Sequence, residues 1–410
     1  MNCDVTVVGA GPAGLTIARI CSEAGYSVVI CEEHATVGLP KHCTGKISTN
    51  ALHDLGIKPE TILTEITGAK FISPNLNSFS IKRPNTQAVI VDRVIFDQHL
   101  SDIAVNAGAT LLTNTKAIDI QVGPSVVKVK TRGKREALSI QSRIVIGADG
   151  APSTVARASN LSMKHSTMRL GAQREIEDIA INPEMVEVFL GKTWAPGFFA
   201  WLVPTSTSSA RIGLALPLHS APDTITYLDH FMKNHPLIRT RLKTGRCTHQ
   251  GIHLLPTGGP PDQTTSDGIL LVGDAAGQVK STTGGGIYFG ISCANIAGEV
   301  IIEALSNTKE LVKKTFLQSY EERWRVQVGH EIKFTVHMRR FLDSLTDDEI
   351  NYLFKIATQN PELIQRIEAT GEIDRQSKVS LSSLRSITTI VKRPRLLYKL
   401  SRLMTRVAFK

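Results

Sequence analysis

Aromatic residues are scarce in this chain: Phe, Trp and Tyr together make up 5% of its 410 residues. Apolar residues still reach 42% and charged residues 20%, an ordinary balance that excludes a disordered chain. No apolar run approaches the ~18–20 residues needed to span a bilayer, so a membrane-spanning protein is not expected. The opening MNCDVTVVGAG has no basic n-region and no cleavage site, and a cytoplasmic protein is expected. The six cysteines (Cys3, Cys21, Cys31, Cys43, Cys247 and Cys293) form no C-x-x-C pair and have no histidine cluster beside them. A disulfide framework and a metal site are therefore not expected; free thiols are. There is no internal repeat and no low-complexity linker. What the chain has in excess is positive charge, +10 at pH 7. That favours an anionic partner: a membrane surface, a phosphorylated substrate or an acidic protein. No nucleic-acid recognition motif accompanies the charge, and no nucleic-acid partner is expected.

The stretch CDVTVVGAGPAGLTIARICSEAGYSVVICEE predicts strand, glycine turn, helix and strand. Val5 to Val8 form a buried parallel strand. The helix runs to about Ala24 and ends at Gly25. The second strand is Ser27 to Cys31, closed by Glu32. Short alternating strands follow between about 49 and 90, then a helix entered near Asp92. ALSIQSRIVIGADG predicts a strand pair ending in a second glycine turn. Residues from about 165 to 255 alternate as β-structure. SDGILLVGDAAG and the run after it predict strand, loop and long helix; beyond about 310 the chain is helical. The expected fold is therefore α/β. A Rossmann-like dinucleotide domain is assembled from 1–48, 90–162 and 265–305. An antiparallel β-sheet substrate domain is inserted at 49–89 and 163–264, and a helical region takes 306–410.

Gly9, Gly11 and Gly14 form G-x-G-x-x-G, with Pro12 and Ala13 between them. The first glycine permits the turn, the second lets backbone approach a pyrophosphate, and the third packs helix on strand. Glu32, with Glu33 beside it, closes the second strand where a carboxylate can accept hydrogen bonds from ribose hydroxyls. IGADG places Asp149 and Gly150 at a strand end, which is also a common structural turn. ILLVGDAAG places Gly273 and Asp274 at another strand end, followed by tiny residues. A carboxylate there suits a hydroxylated chain lying against backbone, such as a ribityl chain. In TTGGGI, Gly284, Gly285, Gly286 and Ile287 open the long helix, and successive amides at a helix start form an anion nest.

This combination resembles the glutathione-reductase-like flavoproteins of the aromatic-hydroxylase branch. The resemblance implies a glutathione-reductase-type domain with FAD as resident cofactor. It implies that Glu32 binds the adenosine ribose, Asp274 the ribityl chain, and Gly284 to Ile287 the flavin ring. Arg93 in VDRVIFDQHL matches the family's R-x-x-F-D-x-x-L arginine, which lies along the cofactor.

A second resemblance is narrower. G-x-P-x-x-C-x-G-x-x-S, here Gly38, Pro40, Cys43, Gly45 and Ser48, is similar to a segment of the geranylgeranyl reductase family in which the cysteine sits near the flavin. APGFFAWLVP is similar to the family's P-G-x-Y-x-W-x-F-P through Pro196, Gly197, Trp201 and Pro204. Phe199 replaces the tyrosine, Val203 the phenylalanine, and Ser281 stands where proline is usual. The resemblance implies an FAD-dependent reductase saturating prenyl chains of a lipid or diphosphate. Such chemistry needs a hydride from reduced flavin, a proton for the other carbon, and an apolar site. Phe199 and Trp201 are candidates to line that site, or are core. Cys43 is a candidate to supply or relay the proton, or is an inert thiol packed by the ring. No second G-x-G-x-x-G exists for a nicotinamide, so the electron donor, NADPH or a ferredoxin-like carrier, docks transiently. Two other readings use the same cofactor motifs: a monooxygenase of an aromatic or quinone-type substrate, and a flavin electron-transfer protein without turnover.

The tail SITTIVKRPRLLYKLSRLMTRVAFK has no acidic residue. Leu396, Leu400, Leu403, Met404 and Val407 fall on one helical face; Lys399, Arg402, Arg406 and Lys410 fall on another. Such a helix lies on an anionic membrane or docks its apolar face on the protein. Peripheral membrane contact is the expectation.

Overall fold

The computed structural model describes residues 1–55, 58–133, 137–164, 167–218, 223–378, 388 and 391–408. The chain forms two compact units. The first is Met1–Pro40, Arg93–His165 and Pro256–Ile332; the second is Lys41–Asp92, Ser166–Leu255 and Lys333–Lys410.

The first unit is built on an eight-stranded sheet. Asn2–Val8 lies between Ser139–Gly147 and Val28–Cys31, parallel to both, with Val5 opposite Ile144 on one side and Val28 on the other. Thr110–Leu112 and Ile269–Leu271 extend the parallel part. The strands read as apolar runs because both faces are covered: Val5, Val7, Ile144, Ile146 and Leu270 are all fully buried. Helix Pro12–Glu23 packs on helix Ile287–Asn307, where a Cβ on Gly298 would lie 2.7 Å from the Ile20 side chain. Among the described residues this second helix is the one long and apolar enough to cross a membrane, and most of it is buried in the core of this unit.

The second unit carries a seven-stranded sheet ordered Arg246–Leu255, Arg169–Glu177, Ser209–Pro217, Ala200–Pro204, Met185–Phe189, Gly68–Ile72 and Ser78–Lys82. Its pairings are antiparallel except the one between Met185–Phe189 and Gly68–Ile72. One face is apolar. Ala172, Leu202, Ile212 and Leu214 pack there with Leu228, Phe231 and Ile238 from the helices Thr224–Asn234 and Pro236–Arg241.

Several elements and boundaries differ from expectation. ALSIQSRIVIGADG contributes one strand, Ser139–Gly147; its hairpin partner is Val127–Gly133, further upstream. The stretch read as continuously β contains the two helices at 224–241, the first capped by Asp223, whose side chain accepts from the Ile225 amide. The C-terminal helical region divides between the two units. Tyr320 and Trp324 are buried in the same core as helix Pro12–Glu23, which ties their segment to the first unit, whereas residues from Lys333 belong to the second. Residues 41–48 also belong to the second unit, since Lys46–Ser48 pairs with Ala88–Val91.

The tail helix Pro394–Ala408 docks on its own unit. Leu396, Leu400 and Leu403 are at most 3% exposed and pack with Phe354 and Phe79. Of the two alternatives for this helix, its apolar face takes the docked one and is covered by the protein rather than open to a bilayer.

Candidate functional site

The three glycines of the first turn answer to different neighbours. Gly9 has φ +102°, and a Cβ there would lie 2.4 Å from the Ala148 carbonyl oxygen. A Cβ on Gly14 would lie 2.3 Å from the Gly9 oxygen. A Cβ on Gly11 would meet nothing within 4 Å. Two glycines are thus required by the protein itself. The third faces open space before the N-terminus of helix Pro12–Glu23, where the first helical N–H groups have no intrahelical partner. Pro12 starts the helix without sacrificing a needed donor, and the Ala13 methyl lies 3.3 Å from where a Gly273 Cβ would stand.

Glu32 and Glu33 diverge. Glu32 turns inward: one oxygen accepts from the Ala10 amide at 2.9 Å and the other from the His34 amide at 2.9 Å. Glu33 is half exposed and pairs with Lys116 at 2.5 Å. Glu32 is the carboxylate held at the glycine turn. Asp149 is committed to its own turn. Its oxygens accept from Ser153 Oγ (2.6 Å) and the amides of Thr154 (2.6 Å) and Val155 (3.3 Å). Burial pushes its pKa up, against the lowering effect of those bonds. Gly150, at φ +68°, faces open space.

The late motif is rigid. Gly273 N–H donates to Gln278 Oε1 (2.8 Å), Gln278 Nε2 to the Tyr320 hydroxyl (2.9 Å), and that hydroxyl to the Leu271 carbonyl (3.0 Å). All three links are buried. Asp274 adjoins the glycine run: a Cβ on Gly286 would lie 2.5 Å from Asp274 Oδ1. The loop before the long helix closes on itself. Gly284 N–H donates to the Lys280 carbonyl (2.7 Å), Lys280 N–H to that of Gly285 (3.1 Å), and Gly285 N–H to Thr283 Oγ1 (3.4 Å). The amides of Gly286 and Ile287 open the helix. Arg93 is bidentate on Asp97, at 2.9 and 2.7 Å.

In the second unit, strand register gathers a second set. Gly251, Gln173, Gly213 and Trp201 stand opposite one another in one row across four strands; His249, Glu175, Arg211 and Val203 form the next. With a side-chain period of two, both rows project from the same face, opposite the apolar one. His253, opposite Gly171, continues it. The loop Lys41–Gly45 lies across this face. A Cβ on Gly251 would meet the Lys41 carbonyl oxygen at 2.4 Å, and His249 Nε2 lies 2.7 Å from that oxygen. His42 stacks on His253 with centroids 4.0 Å apart.

Arg211 holds the loop from below. Its Nη1 donates to the carbonyls of Thr44 (2.9 Å) and Val91 (3.3 Å), while Nε donates to Glu175 (2.8 Å). Cys43 Sγ, half-buried, accepts from the Gly45 amide at 3.4 Å. A Cβ on Gly45 would lie 2.3 Å from the Val91 oxygen, so the loop closes only with glycine there. Trp201 lies over Gly213 and donates from Nε1 to Gln173 (3.2 Å). Phe199 meets it edge-on, centroids 5.8 Å apart, and stacks on Phe198. Phe198 in turn is flanked by Arg169 and Arg339, which share the carboxylate of Asp343. Burial, reinforced by Arg169 and opposed by Asp343, brings Arg339 down to about 10.

Sequence reasoning missed Arg211, Gln278, Tyr320 and the histidine pair. One signal was available: Arg211 is the single charge in the apolar strand SARIGLALP.

The open cradle at Gly11, Glu32 at the strand end and Asp274 beside Gly286 fit an FAD, and a family model of the FAD binding domain matches residues 2–332. The fold and these turns define an FAD-dependent oxidoreductase. The chain is 33% identical over 400 residues to digeranylgeranylglycerophospholipid reductase 2 of Methanopyrus kandleri, a match covering 96% of this chain and 99% of that one. A geranylgeranyl bacteriochlorophyll reductase-like protein of Thermoplasma acidophilum superposes with a TM-score of 0.84 at 24% identity, over 98% of this chain and 99% of that one. A flavin-dependent brominase gives 0.71 at 16%, over 95% and 99%. These two structures speak for the fold alone. The chain belongs to the digeranylgeranylglycerophospholipid reductase family of FAD-binding flavoproteins.

Proposed function

We propose that this protein is an FAD-dependent reductase that saturates carbon–carbon double bonds in the geranylgeranyl chains of isoprenoid lipids or their diphosphates. What carries the reading is the near full-length match to a relative whose name states that activity. The Lys41–Gly45 loop supports it, anchored on the sheet face that carries Trp201.

An isolated prenyl double bond is apolar, and its reduction needs a hydride on one carbon and a proton on the other. Bound and reduced, FAD supplies the hydride. The chain's own residues supply the rest. Phe199 and Trp201 offer ring surface to an apolar chain. The proton is assigned to Cys43. Among the described residues its sulfur is engaged only as an acceptor from Gly45, so the S–H is not committed within the loop. His42, next to Cys43 in the loop, and His253, stacked on it from the sheet strand, are the ring groups on this face from which a thiolate can be reprotonated. Phe199 has no hydroxyl, so no proton comes from that position. The electron donor, NADPH or a ferredoxin-like carrier, docks transiently.

The test is turnover on a geranylgeranyl lipid with mass analysis. The reductase reading expects products heavier by two hydrogens per step and independent of dioxygen. Oxygen uptake with oxygen inserted into an aromatic substrate would replace it with the monooxygenase reading.

A further inference from the structure

Within the second unit, helices His330–Ser344 and Pro394–Ala408 bound a groove of about 560 Å³. Arg340 lines it from the first helix, and Arg395, Arg402 and Arg406 from the second. All four are exposed, and among the described residues no Asp or Glu lines the groove. Lys399 on the same wall is already neutralised, with Nζ 2.6 Å from Glu349 and 2.8 Å from the Ser344 carbonyl. Phe341 and Leu403 are apolar lining, both buried. His337 reports the local field: its pKa is lowered first by burial, then by Arg340, Arg406 and Lys333. Its Nδ1 is buried without a hydrogen-bond partner among the described residues.

Four guanidinium groups of one sign around a groove repel one another unless an anion joins them. Their forked donors match the oxygens of a phosphate. Tyr398 is 63% exposed among the lining residues, with Arg402 5.7 Å from its ring centroid. An exposed aromatic beside basic side chains suits a water–lipid boundary. The buried apolar face of the tail helix decides how a bilayer would be met: through charge, not through insertion.

We propose that this groove binds the phosphate of an anionic lipid headgroup and holds the protein on a bilayer that contains it. The proposal deepens the prenyl-lipid reading, because such a substrate resides in a bilayer, but its test needs no turnover.

The experiment is co-sedimentation of the full-length holoprotein with vesicles of phosphatidylglycerol in phosphatidylcholine, against phosphatidylcholine alone. Wild type should bind the anionic vesicles selectively and release them at about 1 M salt, where screening acts within ~3 Å. Each neutralised arginine should weaken binding roughly fivefold, so Arg402→Gln with Arg406→Gln should weaken it about twenty-five-fold. The melting temperature and turnover of detergent-dispersed substrate should not change in that variant, since both side chains are exposed. Equal sedimentation of variant and wild type, or no preference for phosphatidylglycerol, would overturn the proposal. So would displacement by millimolar inorganic phosphate, which would mark a free-phosphate site, or binding of an oligonucleotide in preference to vesicles. Loss of turnover with vesicle binding intact would strike the proposed function and leave the groove.

Discussion

Arg211 Nη1 donates to the carbonyl oxygen of Thr44 at 2.9 Å, one residue from Cys43. This arginine side chain is 3% exposed, and its charge is balanced by Glu175. A loop carrying the Cys43 thiol and the His42 ring is therefore fixed to a sheet strand rather than left to its own backbone.

Removing that anchor should cost both stability and loop position. In Arg211→Met the Glu175 carboxylate loses its partner and the Thr44 carbonyl loses its donor. Breaking a buried pair on one side costs about 3 kcal/mol or more. The variant should melt earlier in calorimetry and lose turnover while its flavin absorbance stays. Arg211→Lys should recover stability only in part, because an ammonium cannot reproduce the fork. A fully active Arg211→Met would show that the loop needs no anchor.

The glycine turn predicts a clean separation of folding from binding. Gly14→Ala forces a methyl to 2.3 Å from the Gly9 oxygen, so it should give poorly folded protein. Gly11→Ala places its methyl in open space and should fold with an unchanged melting temperature as apoprotein. It should bind FAD at least about tenfold more weakly, since the methyl occupies the pyrophosphate's approach. Flavin fluorescence titration checks this; equal affinity would remove the pyrophosphate from Gly11.

Cys43→Ala should lower turnover about a hundredfold, the scale of a positioned proton donor, without altering the flavin spectrum. Cys43→Ser should fall between. Wild-type rates in Cys43→Ala would return the thiol to packing.

His235 predicts a pH dependence of stability. Its ring is fully buried among Phe189, Trp194 and Phe231, with centroids 4.8, 4.9 and 5.2 Å away, and neither ring nitrogen has a partner among the described residues. Burial pulls its pKa down from 6.5 to about 4. Between those values the unfolded chain binds a proton that the folded chain refuses. Stability should therefore be full above pH 6.5, fall as pH drops through the window, and lose no more from this group below about 4. The total is about 3 kcal/mol at most. His235→Phe should flatten that part of the profile in urea titrations at several pH values; an identical slope would exonerate His235.

The first unit was legible because its signals are local. A strand, a glycine turn and a helix start lie within a dozen residues, and each glycine's reason is steric. The Asp149 carboxylate was less legible: a strand-end Asp before a glycine reads equally as a cofactor contact and as a structural turn, and here its oxygens are taken by Ser153 and the Thr154 amide that follow the turn. The second face was not legible. Arg211, Glu175, Gln173, Trp201 and His253 come together only through strand register, which no spacing along the chain encodes. The helices at 224–241 were missed inside a β-rich stretch because the Asp223 cap and the Pro236 start were overlooked as boundaries. The tail's amphipathic pattern was read correctly as a helix, but pattern alone does not say whether lipid or Phe354 covers the apolar face.

The central claim is that reduced flavin in this protein delivers its electrons to a prenyl double bond. The direct measurement is anaerobic: reduce the holoprotein with dithionite, add a geranylgeranyl lipid, and follow flavin absorbance alongside product mass. The account predicts reoxidation of one flavin for each pair of hydrogens gained by the lipid. Flavin that stays reduced with the lipid, yet reoxidises at once when oxygen and an aromatic substrate are admitted and the substrate gains oxygen, would contradict it.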